Sequence, residues 1–146
     1  MSIIEDNFLN IKERISLARA RFKEGAEEVA IIAVSKNRGI DQIREALESG
    51  ITDIGENRVQ EAAVKYASVH NGLSLQGNLR WHMVGHLQTN KVKEAVEIFD
   101  LIHSVDSLRL AEAINKQAVG VNKVQDILIE VKTSPEANKY GVMTKD

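Results

Sequence analysis

Lys36 is the residue of this chain whose type and position best suit chemistry. It follows an apolar run rich in β-branched residues, residues 29–34, and Ser35 separates the run from the lysine. Such a run is typical of a strand buried on both faces, and ligands of α/β proteins bind where strands end. A partly desolvated lysine there is a neutral nucleophile that can form a Schiff base with an aldehyde. From position alone, a solvated lysine without function is the alternative.

Three residues, Gly55-Glu56-Asn57, lie where a short second strand is expected to reach the same mouth. Gly55 is suited to a tight turn and Asn57 to capping the helix that follows. The polar side chains are also placed to reach a ligand beside Lys36. These two interpretations are compatible.

Two histidines, His82 and His86, lie four residues apart. That spacing brings two metal ligands together on a helix, but this segment has the pattern of a strand and a turn. We therefore expect no metal site, and expect His82 to hydrogen-bond a neighbour or a ligand at a strand end. Residues 85–91 lack the spacing of a phosphate-binding loop, and no dinucleotide-binding glycine motif occurs.

Strands and helices alternate along the chain, which predicts βαβ units on a parallel sheet with right-handed connections. The strands are expected over residues 29–36, 52–57, 79–84, 101–105 and 124–131. Helices are expected between them over residues 40–47, 59–66, 92–99 and 111–118. We predict a further helix before the first strand, with its apolar face at Ile4, Phe8, Ile11, Ile15, Ala18 and Phe22.

Local signals place the ends of these elements. Gly25 is expected to end the first helix and Gly50 the second, and Asp106 to cap the helix after the fourth strand. Residues 71–78 are expected to form a polar loop, and the tail to enter another helix around Glu136. The predicted fold class is α/β, a (β/α)8 TIM-barrel type with only about the first five βα units. We expect one partial domain over residues 1–146.

Composition narrows the classes of function. The net charge is −2, from 19 basic and 21 acidic residues. This balance gives no electrostatic reason to expect nucleic acid or a membrane surface as a partner. There are no cysteines, so thiolate metal sites are excluded. The first residues lack the pattern of a signal peptide, and the apolar run at 29–34 is far shorter than the ~20 residues of a membrane span. We expect a cytoplasmic protein.

Four segments together resemble the pyridoxal phosphate homeostasis proteins, the YggS/PROSC family. They are Ala33-Val34-Ser35-Lys36, residues 55–61 (GENRVQE), residues 81–91 (WHMVGHLQTNK) and residues 102–107 (IHSVDS). The tail at residues 132–141 is similar to that family's fifth-strand segment. The resemblance implies a fold like the N-terminal barrel of alanine racemase, with pyridoxal 5′-phosphate as cofactor. It matches Lys36 to the Schiff-base lysine, and Asn57 and His82 to positions near the cofactor pocket.

The family resemblance implies a cofactor buffer or carrier that affects amino-acid and keto-acid balance, with pyridoxal-phosphate-dependent apoenzymes as recipients. No established reaction goes with the family, so we do not expect an enzyme. One alternative is an amino-acid racemase-like catalyst, which needs a base on each face of the substrate carbanion. In alanine racemase the second base is a tyrosine from a partner's additional domain, whereas this chain has only Tyr66 and Tyr140.

The chain departs from the family pattern at two places. Lys132 stands where relatives often carry asparagine. The family's phosphate-holding segments would lie beyond Asp146, so we expect a truncated chain or a fragment, with a non-functional remnant as a further alternative. Weak cofactor binding is expected. Family members are expected to be monomers, but open sheet edges should make this chain self-associate.

Overall fold

The structure is a computed structural model that describes residues 2–21, 28–72, 79–134, 136 and 139–143. Helices and strands alternate through these residues, as the sequence pattern predicts. The helices are α1 Ile3–Arg19, α2 Ile40–Glu48, α3 Val59–Gly72, α4 Val92–Ile98 and α5 Leu108–Gly120, and a 3₁₀ turn at Thr89–Lys91 leads into α4. The strands are β1 Ile32–Val34, β2 Asp53–Glu56, β3 Arg80–Met83, β4 Leu101–Val105 and β5 Asp126–Ile129.

The five strands form one parallel sheet in chain order, β1-β2-β3-β4-β5. Val34 lies opposite Gly55, Gly55 opposite His82, and His82 opposite Leu101. This confirms the predicted α/β arc of five parallel strands, in which helices α2 to α5 follow the first four strands. Because all strands run the same way, their carboxyl ends meet along one edge of the sheet, where the loops after β1, β2 and β3 come together.

The helices cover one face of the sheet. The hydrophobic core lies between this face and the helices. Every second residue of a strand points into it and packs against apolar positions of α2 to α5. Burying each large apolar side chain stabilises the fold by about 1.5–3 kcal/mol. The largest fully buried side chains of this core are those of Trp81, Phe99, Ile43, Ile54 and Met83.

The opposite face is the one that would line a barrel. A Cβ added at Gly55 would lie 3.0–3.4 Å from the side chains of Ile32, Val34 and Val84, so these residues share that face. Alternation along β1 assigns Lys36 to the same side. Val34 is exposed, because β1 is an edge strand paired only with β2 among the described residues.

The first helix differs from its prediction in packing. Its start is fixed by a capping box in which Ser2 Oγ accepts a hydrogen bond from the Glu5 N–H at 3.1 Å. Ile4 and Phe8 pack against the core, but no residue of α1 is fully buried and Ile11 is exposed. The predicted positions Phe22 and Gly25 lie outside the described residues. No helix of the described part of the chain has the length and apolar character needed to cross a membrane.

Three local predictions need correction. Ser107, not Asp106, caps α5, because its hydroxyl accepts the Leu110 N–H at 3.3 Å while the Asp106 carboxylate lies 3.4 Å from the His86 ring. Residues 71 and 72 belong to α3 rather than to a loop, and residues 73–78 lie outside the described part. The described tail residues 136 and 139–143 form no helix, since Val142 pairs with Val131 instead.

Candidate functional site

The cleft at the carboxyl edge of the sheet, which we call the Lys36 cleft, has a volume of about 760 Å³. The loops after β1, β2 and β3 contribute Lys36, Asn57 and residues of the segment 85–91. The structure therefore brings Lys36 and Asn57 together, whereas His82 is not among the residues that line this cleft. Another cavity of about 730 Å³ lies at the opposite edge of the sheet beside α1. Ligands of parallel α/β sheets bind at carboxyl ends, which favours the Lys36 cleft.

The described lining of the Lys36 cleft is positively charged. It includes Lys36, Arg58 and Lys91 together with His86, and no Asp or Glu is among these lining residues. Within the described part of the chain, the first three make no ion pair. Since the whole chain carries a net charge of −2, the positive charge is a local property of the cleft, which suits an anionic ligand.

Lys36 itself is exposed to solvent. This differs from the partial desolvation that its place after a buried strand predicts, and the reason is that β1 lies at the edge of the sheet. Backbone contacts nevertheless fix its position: the Ser35 N–H donates to the Gly55 carbonyl at 3.0 Å, and the Arg38 N–H to the Ser35 carbonyl at 2.9 Å. The lysine therefore projects from a turn that backbone hydrogen bonds hold in place.

The loop after β3 and the turn after β2 are in close backbone contact beside the cleft. A Cβ added at Gly85 would lie only 2.3 Å from the carbonyl oxygen of Asn57 and 2.8 Å from its Cα. No side chain fits in that space, so glycine alone allows the loop after β3 to lie on the turn after β2. Asn57 and the segment 85–91 are thus parts of one packed unit.

The tail returns to the mouth of the cleft. Val142 N–H donates to the Glu130 carbonyl and Lys132 N–H to the Val142 carbonyl, both at 2.9 Å. Gly141 has φ of +119°, which glycine adopts without strain. This fold-back places the Tyr140 ring on the His86 ring, so Tyr140 becomes a lining residue of the cleft.

His82 lies deeper in the sheet and takes part in a polar chain. Its Nε2 is 2.8 Å from Asp53 Oδ1 and its Nδ1 is 3.0 Å from His103 Nε2. With Asp53 ionised, the Nε2–H of His82 donates to the carboxylate. When both histidines are neutral, Nδ1 of His82 then accepts a hydrogen bond from the Nε2–H of His103. His82 and His86 do not meet, since His86 contacts Asp106 and Tyr140.

The electrostatics of this chain shift two pKa values. Burial raises the pKa of Asp53, but hydrogen bonds from Thr52 and His82 and the nearby charges of His82 and Arg80 outweigh it. The net pKa therefore lies below the ordinary value of 3.8. Burial, with a smaller contribution from the charge of His82, lowers the pKa of His103 below its ordinary 6.5. Both shifts favour an anionic Asp53 and a neutral His103 at neutral pH, at the two ends of the chain that His82 joins.

A second polar network lies behind Lys36, on the helix side of the sheet. Lys65 of α3 donates to Glu56 Oε1 at 2.6 Å, to Glu61 Oε1 at 2.7 Å and to the Ser35 carbonyl at 2.7 Å. The hydrogen bond from Lys65 lowers the pKa of Glu61. Sequence reasoning gave Lys65 no role. The only signal was its spacing four residues after Glu61, which suits an ion pair on one helix face.

Comparisons with known proteins identify the relatives of this chain. The sequence model described as alanine racemase, N-terminal domain, matches residues 7–146. The pyridoxal phosphate homeostasis protein of Escherichia coli (strain K12) is 35% identical over 142 residues, which is 97% of this chain and 60% of that protein. The protein of the same name from Aquifex aeolicus (strain VF5) is 41% identical over 132 residues, covering 90% of this chain and 56% of its own length.

Solved structures show the same relationship. PipY of Synechococcus elongatus PCC7942, solved with PLP bound, has a TM-score of 0.70 and 43% identity, over 83% of this chain and 55% of PipY. An unknown protein from Bifidobacterium adolescentis has a TM-score of 0.80 and 32% identity, over 95% of this chain and 58% of its own. The chain thus spans about 60% of the length of the curated relatives it matches. It belongs to the alanine racemase N-terminal domain family, and its relatives include the pyridoxal phosphate homeostasis proteins.

Proposed function

We propose that this chain binds pyridoxal 5′-phosphate in the Lys36 cleft and serves intracellular homeostasis of that cofactor. Buffering or delivery of the cofactor would affect amino-acid and keto-acid balance. The observation that carries the proposal is the Lys36 amine at the carboxyl edge of the sheet, in a cleft with a positively charged lining. The names of the relatives and the PLP-bound PipY structure support it.

The residues present fit the chemistry of this cofactor. Pyridoxal phosphate supplies an aldehyde, which a lysine amine holds reversibly, and a phosphate anion. Lys36 provides the amine, Arg58 and Lys91 provide positive charge for the anion, and Asn57 offers an amide that both donates and accepts hydrogen bonds. His82 is proposed to act from below the cleft, by fixing strand β3 through Asp53 and His103.

We place this function in the cytoplasm, in one partial cofactor-binding domain of residues 1–146. The cysteine-free composition suits a reducing compartment. Pyridoxal-phosphate-dependent apoenzymes are the proposed recipients, and no reaction is assigned to the chain. The relatives' names support this last point, because they describe homeostasis rather than a transformation.

One observation favours a second candidate function, an amino-acid racemase-like activity. Tyr140 lines the same cleft as Lys36, so a lysine and a phenol lie in one cavity, as a two-base reaction requires. A racemase assay separates the two functions. Turnover that disappears in Tyr140→Phe would support catalysis, whereas cofactor binding without turnover supports the homeostasis function.

Borohydride reduction followed by peptide mapping tests the proposed function, because it fixes the cofactor on the lysine that holds it. We expect label on Lys36, none at that position in Lys36→Ala, and unchanged labelling of Lys36 in Lys93→Ala, which changes an exposed lysine of α4 outside the cleft. Binding should be weak and lost on dialysis, because Lys36 is open to water that competes for the aldehyde. Random labelling of surface lysines, or equal total labelling of Lys36→Ala, would contradict the proposal.

A further inference from the structure

We propose that Lys65 is a positioning residue for Lys36. Together with the buried Glu56 and the partly exposed Glu61 it forms a unit, here called the Lys65 clamp, that fixes the backbone on both sides of Lys36. This inference rests on the proposed function of Lys36. It adds a role for residues that line no part of the Lys36 cleft.

The Lys65 ammonium is completely used by the clamp. An ammonium group has three N–H donors, and Nζ has three acceptors within 2.7 Å: the Ser35 carbonyl, Glu56 Oε1 and Glu61 Oε1. Lys65 is only 7% exposed and Glu56 is fully buried. Lys65 is therefore not a spare nucleophile for an aldehyde, and its charge and all its hydrogen bonds are directed at its neighbours.

The clamp grips the peptide units on both sides of Lys36. On one side, Lys65 holds the Ser35 carbonyl, and the Ser35 hydroxyl donates to Glu56 Oε1. On the other side, the Asn37 N–H donates to Glu61 Oε1 at 2.8 Å. These two peptide units determine the φ and ψ angles of Lys36, so its Cα and the direction of its side chain are fixed while the chain of methylenes remains free.

The backbone next to Lys36 needs such a restraint. Asn37 has φ of +58°, in the left-handed region that side chains adopt at some cost. Its N–H donates the hydrogen bond that Glu61 Oε1 accepts. Because Lys36 itself is exposed, packing does not hold it in place, and the clamp supplies the restraint that burial does not.

The composition of the clamp favours positioning over stability as its purpose. Two carboxyl groups share one ammonium, and Glu56 Oε2 has no hydrogen-bond partner among the described residues although it is buried. Replacing a buried ion pair with apolar side chains is often neutral or stabilising. A rigid support, by contrast, is what a reacting group needs, since misplacement by about 1 Å can slow a reaction about 100-fold.

The test uses two clamp variants and a matched control. Glu56→Gln/Lys65→Met removes both buried charges together, so that neither is left unpaired. Glu61→Ala removes a partly exposed carboxylate and with it the acceptor of the Asn37 N–H. The control, Lys93→Met/Glu97→Gln, makes the same kind of change at two exposed positions of α4 outside the cleft.

The measurements are amide hydrogen exchange of Asn37 without cofactor, and the rate at which Lys36 captures pyridoxal phosphate, trapped with borohydride. Both clamp variants should still melt cooperatively, exchange the Asn37 amide about tenfold faster, and capture the cofactor about tenfold more slowly. Lys65→Arg, which keeps the charge and the donors, should recover part of the capture rate. The control should match the unchanged chain in both measurements.

An unchanged capture rate in a folded clamp variant would overturn the proposal. If the double variant fails to fold, Glu61→Ala decides, and normal capture by that variant also overturns the proposal. If the unchanged chain never labels Lys36, the proposed function fails, but the exchange of the Asn37 amide still reports on the clamp in the cofactor-free chain. The two failures are therefore distinguishable.

Discussion

His86 stacks face to face on Tyr140, with ring centroids 3.7 Å apart and ring planes 11° apart. The two residues come from distant parts of the chain, one from the loop after β3 and the other from the tail that pairs Val142 with Val131. Because both line the Lys36 cleft, the stack joins the tail to the wall of the candidate site. The tail is therefore part of the site.

Removing this stack should loosen the tail. Tyr140→Ala is expected to lose about 0.5–1.5 kcal/mol of aromatic pairing, and so to raise the exchange rate of the Val142 amide about 2- to 10-fold. Tyr140→Phe is the matched control, since it keeps the ring and removes only the hydroxyl. Equal protection of Val142 in the alanine and phenylalanine variants would show that the stack does not hold the tail.

The polar chain of Asp53, His82 and His103 should make stability depend on pH in two windows. The folded pKa of His103 is lowered, so the unfolded chain takes up a proton near pH 6.5 while the folded chain stays neutral. Stability is then complete above pH 6.5 and is lost as the pH falls from there towards the folded pKa. The folded pKa of Asp53 is also lowered, so a second loss begins near pH 3.8 and continues below it.

Thermal melts between pH 7.5 and 3 measure both losses. His103→Gln keeps an N–H donor for His82 but cannot titrate, so it should flatten the upper window and leave the lower one. Asp53→Asn should flatten the lower window, at the cost of lower stability at pH 7. A wild-type melting temperature that is constant from pH 7 to 5.5 would contradict the assignment to His103.

Much of the fold was predictable because it depends on local periodicity. Alternating strands and helices gave the parallel arc, and the placement of Lys36 after β1 follows from where an apolar run stops. The depth of a residue along a strand is less visible. The family resemblance assigns both His82 and Asn57 to positions near the cofactor pocket. In the structure His82 pairs with Gly55 and Leu101 within the sheet, whereas Asn57 lies beyond the end of β2.

Contacts between distant residues were not predictable from one sequence. The Lys65 clamp joins Ser35 to a residue thirty positions later, and only the Glu61–Lys65 spacing hints at it. The fold-back of Tyr140 depends on the conformation of Gly141 and on pairing by Val142. The choice of Ser107 over Asp106 as a cap is a shift of one residue, which depends on the helix start rather than on residue type.

The contact between Gly85 and Asn57 predicts a site that is sensitive to a single methyl group. Gly85→Ala places a Cβ against the backbone of Asn57, so the loop or the turn must move. We expect a loss of about 1–3 kcal/mol in the free energy of unfolding, with slower labelling of Lys36 by the cofactor. Urea unfolding and borohydride trapping measure the two effects.

Gly120→Ala is the control for Gly85→Ala. A Cβ at Gly120, the last residue of α5, meets nothing within 4 Å, so this change should be neutral or stabilise the chain by up to about 1 kcal/mol. If Gly85→Ala has the stability and labelling of Gly120→Ala, the close packing of the loop on Asn57 does not support the site.

The edge strand β5 should cause this chain to associate with itself. Its residues Ile127, Leu128 and Ile129 are 37%, 49% and 65% exposed, and β4 is its only partner strand in the described part of the chain. Unpaired N–H and C=O groups along an apolar strand are a template for pairing with another copy. We expect sedimentation velocity to show oligomers that increase with protein concentration.

Leu128→Lys should shift the distribution to monomer, since charge on an edge opposes pairing. Val64→Lys changes a comparably exposed residue of α3, 69% exposed, and should leave the oligomers unchanged. A purely monomeric profile of the unchanged chain, or dissociation by both variants alike, would show that β5 is not the contact.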